Sequence, residues 1–127
     1  MRKRASGVAV AVLFASLVRA QAPAPAPGAP RTREVDPGVF NTSPVIDRAE
    51  IRAGSLEIKP GGTRRVHQHD DVKFHLFIPL TGAVQLNIGA ETISAIPGQV
   101  YFINHGTPHG FNNATQSTAT AIEVFIK

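Results

Sequence analysis

The stretch VHQHDDVKFHLFIPLTG, Val66–Gly82, carries three histidines, His67, His69 and His75, just ahead of an apolar run that closes on glycine. In an extended chain, residues two apart project from the same face, so His67 and His69 can turn both rings into one space. Asp70, Asp71 and Val72 read as a turn. After it the chain runs back, and His75 can face the same space from the neighbouring strand. The run from Lys73 to Leu80 places Phe74, Leu76, Ile78 and Leu80 on one face and His75, Phe77 and Pro79 on the other. A strand apolar on both sides is covered on both sides. One face belongs to a barrel interior and the other to a second sheet or a partner subunit. Pro79 cannot donate a ladder hydrogen bond, which puts it near a strand end or a bulge.

Outward from this stretch, segments of β character recur at short spacing: Ser43 to Ile46, Ile51 to Lys59, Val66 to His69, Lys73 to Leu80, Ala83 to Ile88, Glu91 to Ala95, Gln99 to Ile103, His109 to Asn112 and Ala119 to Lys127. Between them stand Pro60-Gly61-Gly62, Thr81-Gly82, Gly89, Pro97-Gly98 and Asn104 to Pro108, all residue types that suit chain reversal. No segment has helical periodicity. Many short strands with regular turn signals predict an all-β antiparallel sandwich or barrel.

The N-terminus has a different character. Met1 to Arg4 is basic, Ala5 to Val18 is apolar, and Val18-Arg19-Ala20 forms a small-x-small cleavage site. This is the pattern of a secretory signal peptide over residues 1–20, and its apolar run is shorter than the ~20 residues that span a bilayer. Residues 21–30, QAPAPAPGAP, read as an Ala/Pro linker. The folded domain is therefore expected over residues 31–127. The chain is expected to be exported, periplasmic or secreted, with no stable membrane association after leader removal.

Export changes the reading of charge. Four of the thirteen basic residues, Arg2, Lys3, Arg4 and Arg19, and none of the nine acidic ones lie in the leader, which leaves nine of each. The sequence pI of about 10.1 is a property of the leader, and it offers no argument for nucleic-acid binding. The absence of cysteine excludes a disulfide framework, thiolate ligands and a cysteine nucleophile.

All five histidines fall between His67 and His109. Two imidazoles on one strand can meet a single metal at about 2.0–2.2 Å, and His109 can add a ligand from a later strand after the rigid Thr107-Pro108 approach. Without a metal the same rings would be packed together, some necessarily neutral, each needing a hydrogen-bond partner. His105, beside Gly106, reads as a solvated loop residue. Asp70 and Asp71 read as turn residues, with orientation of a ligand imidazole as their functional alternative. Tyr101, Phe102, Phe77 and Phe111 read as barrel core, and Arg64-Arg65 as a solvated strand edge near the pocket mouth. No inward-facing carboxylate is evident near the histidines, which counts against a carboxylate base.

Over Gly61 to Asn113 the sequence resembles the cupin superfamily. Gly61, then His67-Gln68-His69, then His75 and Gly82 stand where that family's first motif has a glycine, His-x-His, a glutamate and a glycine. Gly98, Asn104-His105-Gly106, His109 and Asn113 follow the register of the second motif, with Asn104 replacing its proline. The resemblance implies a double-stranded β-helix, the jelly-roll barrel of a single-domain cupin. It also implies an all-histidine metal site formed by His67, His69, His75 and His109, with His75 in the glutamate's place. Four neutral imidazoles would leave the dication uncompensated, making it a stronger Lewis acid. One divalent transition metal is expected, Mn, Fe or Cu first, with Zn or Ni also compatible. The function implied is a metal-dependent oxidoreductase, dioxygenase-like, acting on a small molecule as a homodimer. The alternatives are a non-catalytic cupin that binds a small ligand or metal, and a structural or storage protein. The fold itself does not choose among them.

Overall fold

A computed structural model describes residues 31–127; the expected leader and linker lie outside them. Eleven strands follow in order: β1 (Thr32–Asp36), β2 (Val39–Thr42), β3 (Ile46–Asp47), β4 (Ile51–Ile58), β5 (Thr63–His67), β6 (Phe74–Thr81), β7 (Val84–Ile88), β8 (Glu91–Ala95), β9 (Tyr101–Asn104), β10 (His109–Asn112) and β11 (Ala119–Ile126). No helix occurs among the described residues. The strands form two antiparallel sheets. One runs β1-β2-β4-β11-β6-β9, with β3 paired to β4, and the other runs β5-β10-β7-β8.

The larger sheet is organised around β11, which is paired along its length to β4 on one side and β6 on the other. Its residues alternate strictly: Ala119, Ala121, Glu123 and Phe125 are buried, and Thr120, Ile122, Val124 and Ile126 are half-buried on the outer face. Between the sheets lies one apolar core containing Val39, Leu56, Ile58, Phe77, Val84, Leu86, Ile103 and Phe111. Each such large side chain contributes roughly 1.5–3 kcal/mol on leaving water. The core fills one end of the barrel. The histidines occupy the other, reached along β6 by stepping from Phe77 to His75 and along β10 by stepping from Phe111 to His109.

Two irregularities position functional groups. The β5–β10 register pairs His109 with His67 but Phe111 with Arg64, so Arg65 and Val66 together oppose the single residue Gly110. This is a β-bulge. It breaks the two-residue alternation, and Arg64 and His67 are both half-buried while Arg65 and Val66 are exposed. The bulge depends on Gly110, because a Cβ there would sit 2.7 Å from the Arg64 carbonyl oxygen. A second shift, where Thr120 faces Thr81 and Ala121 faces Pro79, lies at the proline, as a residue without an N–H requires.

Several expectations change. The β1–β2 hairpin has no counterpart in the sequence reading, while Ser43 to Pro44 is not strand. The strand expected at Val66 to His69 lies at Thr63–His67 instead, leaving His69 on the connection to β6. Arg65 is exposed on the strand edge as expected, Arg64 is half-buried, and both are tied down. Arg64 Nη1 lies 2.7 Å from Asp36 Oδ2 and Arg65 Nε 2.6 Å from Asp36 Oδ1, with the Arg65 amide donating to the same carboxylate at 3.2 Å. Asp36 is 4% exposed, so these bonds fasten the edge of the larger sheet to the edge of the smaller one. The Arg64 hydrogen bond, with those of Arg65, outweighs burial and holds the Asp36 carboxyl at about 2. Phe102 is 53% exposed and packs on Phe74 outside the barrel, whereas Phe77 and Phe111 are core as expected.

Candidate metal centre

His67, His69 and His109 bring one ring nitrogen each to within 4.8 Å of one another. Three different local structures achieve this. His109 begins β10, directly opposite the last residue of β5, His67, in register. Both rings are oriented by backbone: His67 Nδ1 donates to the Arg65 carbonyl and His109 Nδ1 to the Thr107 carbonyl, each at 2.9 Å. With the proton fixed on Nδ1, Nε2 offers its lone pair.

His69 is held from outside any strand. The Gly106 amide donates to the His69 carbonyl at 3.1 Å, with Gly106 at φ 64 in the turn after β9. His105 in the same turn donates from Nδ1 to the Val72 carbonyl at 2.8 Å, so this exposed loop residue clamps the connection that carries His69. Asp70 accepts from the Gln68 side chain and behaves as a turn residue. The Nε2 atom of His69 is buried with no hydrogen-bond partner.

His75 stands against the same cluster. Its Nδ1 lies 3.3 Å from His109 Nε2, and its ring centroid is 5.6 Å from that of His69. The tight group that can hold a metal is nonetheless His67, His69 and His109, and His75 adjoins it as a buried fourth imidazole.

Burial sets the protonation of the cluster. Loss of water around His69, reinforced by the neighbouring His67 and His75, lowers its pKa from 6.5 to about 4. Burial likewise lowers His109 to about 4 against the opposing Thr107 hydrogen bond, and it lowers His67. The cluster is therefore neutral near pH 7, the form in which imidazole binds a metal. Converging lone pairs, an orphaned buried nitrogen on His69 and an all-nitrogen donor set fit a divalent transition metal.

Three further residues complete the site, and none is evident in the sequence reading. Phe125 stacks on His75 at 4.3 Å between centroids and 18° between planes, and meets His69 edge-on at 5.0 Å. The Arg52 guanidinium lies 4.6 Å over the same Phe125 ring. Glu123 is 7% exposed, with Oε1 3.4 Å from His75 Nε2. Burial opposes its ionisation, but His75, with smaller effects from Arg64 and His67, brings the net shift below the usual carboxylate value. The expectation that no carboxylate faces the histidines is thus corrected. The misleading signal is the alternation of β11: Ile122, Val124 and Ile126 form its more apolar face, yet that face points outward.

The model of the family described as "Cupin domain" matches residues 54–125, more than half of the chain, and the protein belongs to that family. No curated protein matches it in sequence. Among solved structures it is similar to TT1209 from Thermus thermophilus, at 26% identity and a TM-score of 0.65 over 71% of this chain and 84% of that one. It is similar also to KdgF from a Halomonas species, at 21% identity and a TM-score of 0.68 over 76% and 86% of the two chains. A predicted oxalate decarboxylase from Thermotoga maritima shares the fold at 17% identity, with a TM-score of 0.67 over 76% and 90%. The fold class, a small single-domain cupin of two antiparallel sheets, agrees with the sequence expectation.

Proposed function

We propose that this protein is an exported, metal-dependent oxidoreductase of small molecules, binding one divalent transition metal through His67, His69 and His109 with His75 as the fourth ligand. The observation that carries the reading is the convergence of three imidazole nitrogens within 4.8 Å, two of them with the opposite ring nitrogen tied to a backbone carbonyl.

A bound Mn, Fe or Cu would supply a Lewis acid with an accessible redox couple; Zn or Ni would supply the Lewis acid. The residues of this chain do the rest. The Arg65 and Thr107 carbonyls fix the tautomers of His67 and His109. Phe125, stacked on His75 and edge-on to His69, covers both rings on their inner side. A buried carboxylate, Glu123, stands beside His75 Nε2 as a negatively charged hydrogen-bond acceptor. The small domain supports a small substrate, and the similarity in fold to a predicted oxalate decarboxylase is compatible with an oxygen-bearing one. We also infer export by the residues 1–20 leader and a homodimer formed through the outer face of the larger sheet.

The second reading is a non-catalytic cupin that binds metal or a small ligand. The cavity of about 50 Å³ that reaches Glu123 and Phe125 is lined by none of the four histidines.

Element-resolved mass spectrometry on mature, untagged protein from its own exported compartment tests the reading. About one equivalent of Mn, Fe or Cu, lost in His69→Ala, is the expected result. Full metal occupancy in His69→Ala would sink the site assignment, and zinc at full occupancy would favour the second reading.

A further inference from the structure

We propose that Glu123 is a positioning residue for the metal site: its buried carboxylate accepts the Nε2 proton of His75 and thereby presents His75 Nδ1 to the point where His67, His69 and His109 converge. The inference rests on the metal-binding reading above and assigns a ligand atom and an orienting group within it.

Four observations lead there. First, His75 Nε2 is buried and has no hydrogen-bond partner, and the carboxylate oxygen facing it is Glu123 Oε1 at 3.4 Å. A charge-assisted N–H···O bond closes to about 2.7–2.9 Å, a movement of a few tenths of an ångström. Second, a buried carboxylate without a donor is costly, and His75 is the group that meets it. Third, His75 Nδ1 lies 3.3 Å from His109 Nε2, while His109 Nδ1 is committed to the Thr107 carbonyl. The nitrogen of His75 on the metal side is therefore Nδ1, whereas His67 and His109 present Nε2. Fourth, the His75 ring lies flat against Phe125, 4.3 Å away and 18° from parallel, which opposes the ring flip that would exchange its two nitrogens.

The arrangement also accounts for charge. His75 occupies the position at which the cupin motif has a glutamate, and a ligand set of four neutral imidazoles loses the unit negative charge that glutamate carries. Glu123 returns that charge one imidazole further out, from the central strand of the larger sheet. The carboxylate acts through the His75 ring, as orienting partners of metal-bound histidines do.

Long-range proton–nitrogen correlation spectra of ¹⁵N-labelled protein, metal-free and zinc-loaded, test this without any assay of activity. The expected result is a protonated Nε2 on His75 in the zinc-loaded protein, with the Nδ1 that meets His109 Nε2 in the metal-free protein shifting on zinc addition. In chelator competition, Glu123→Leu should weaken zinc binding by roughly 10–100-fold and Glu123→Gln by less. In a His75→Ala background Glu123→Leu should cost nothing further. Zinc binding through His75 Nε2, or an equal loss from Glu123→Leu in both backgrounds, overturns the inference and leaves the metal site standing. Failure of the wild-type protein to bind zinc overturns both. If Glu123→Leu does not fold, the wild-type spectra decide alone.

Discussion

At the scale of the residue, the imidazoles are set by what surrounds them. His69 and His109 titrate at about 4 in the folded chain against 6.5 in the open one. Between those values the unfolded state binds more protons, so the stability of the metal-free protein rises with pH there. Its melting temperature should therefore be highest above pH 6.5 and should fall progressively as the pH drops toward 4. Thermal melts of chelator-treated protein across that window check the direction, and His69→Leu should flatten the slope. A profile that rises toward pH 4 would contradict the burial of these rings.

Elements decide which residues meet. The bulge opposite Gly110 turns His67 inward, and it has no room for a methyl group at position 110. Gly110→Ala should cost about 1–3 kcal/mol in urea unfolding and should lower metal occupancy by separating His67 from His109. A full metal complement with unchanged stability would mean that the bulge is not needed. The Asp36 bonds to Arg64 and Arg65 join the two sheets at one edge. Because the folded Asp36 lies at about 2, below its ordinary 3.8, its stabilisation is complete above about 3.8 and is lost as pH falls through 2. Asp36→Asn should lower the melting temperature at pH 7 and remove that part of the acid transition, seen by far-UV circular dichroism from pH 5 to 1.5.

Most of this was legible in the sequence where one face of a strand differs from the other. β8 and β10 have the predicted limits, and Pro79 lies beside a bulge as its missing donor requires. What was not legible has local causes. β1, with Thr32, Arg33 and Glu34 exposed, lacks an apolar face and owes its place to pairing with β2. Alternation puts His67 and His69 together on a strand, whereas a bulge and a loop bring them together in the structure. Glu123 and Phe125 were hidden because β11 is apolar on both faces, and periodicity alone cannot say which is inside.

For the whole molecule, the outer face of the larger sheet is the feature to explain. Phe74, Leu76, Ile78, Ile122, Val124 and Ile126 are half-buried, and Leu80 and Phe102 are exposed. Contiguous apolar surface of this kind marks an interaction site. Sedimentation at micromolar concentration should show a dimer, and Phe102→Glu a monomer with its metal retained. A monomeric wild type would exclude this face as a self-association surface.

The histidines also differ in how they are anchored. His67 and His109 face each other across paired strands, whereas His69 rests on a connection tied to the β9–β10 turn by the Gly106 amide and His105. All three donors converge before any ion arrives, two on paired strands and the third on a connection held by two hydrogen bonds from one turn. Affinity is expected to follow the complete donor set, and residence time those two hydrogen bonds. Metal exchange should accordingly be governed by the opening rate of the 68–73 segment, so that two variants with equal dissociation constants can differ in how long they keep what they have bound.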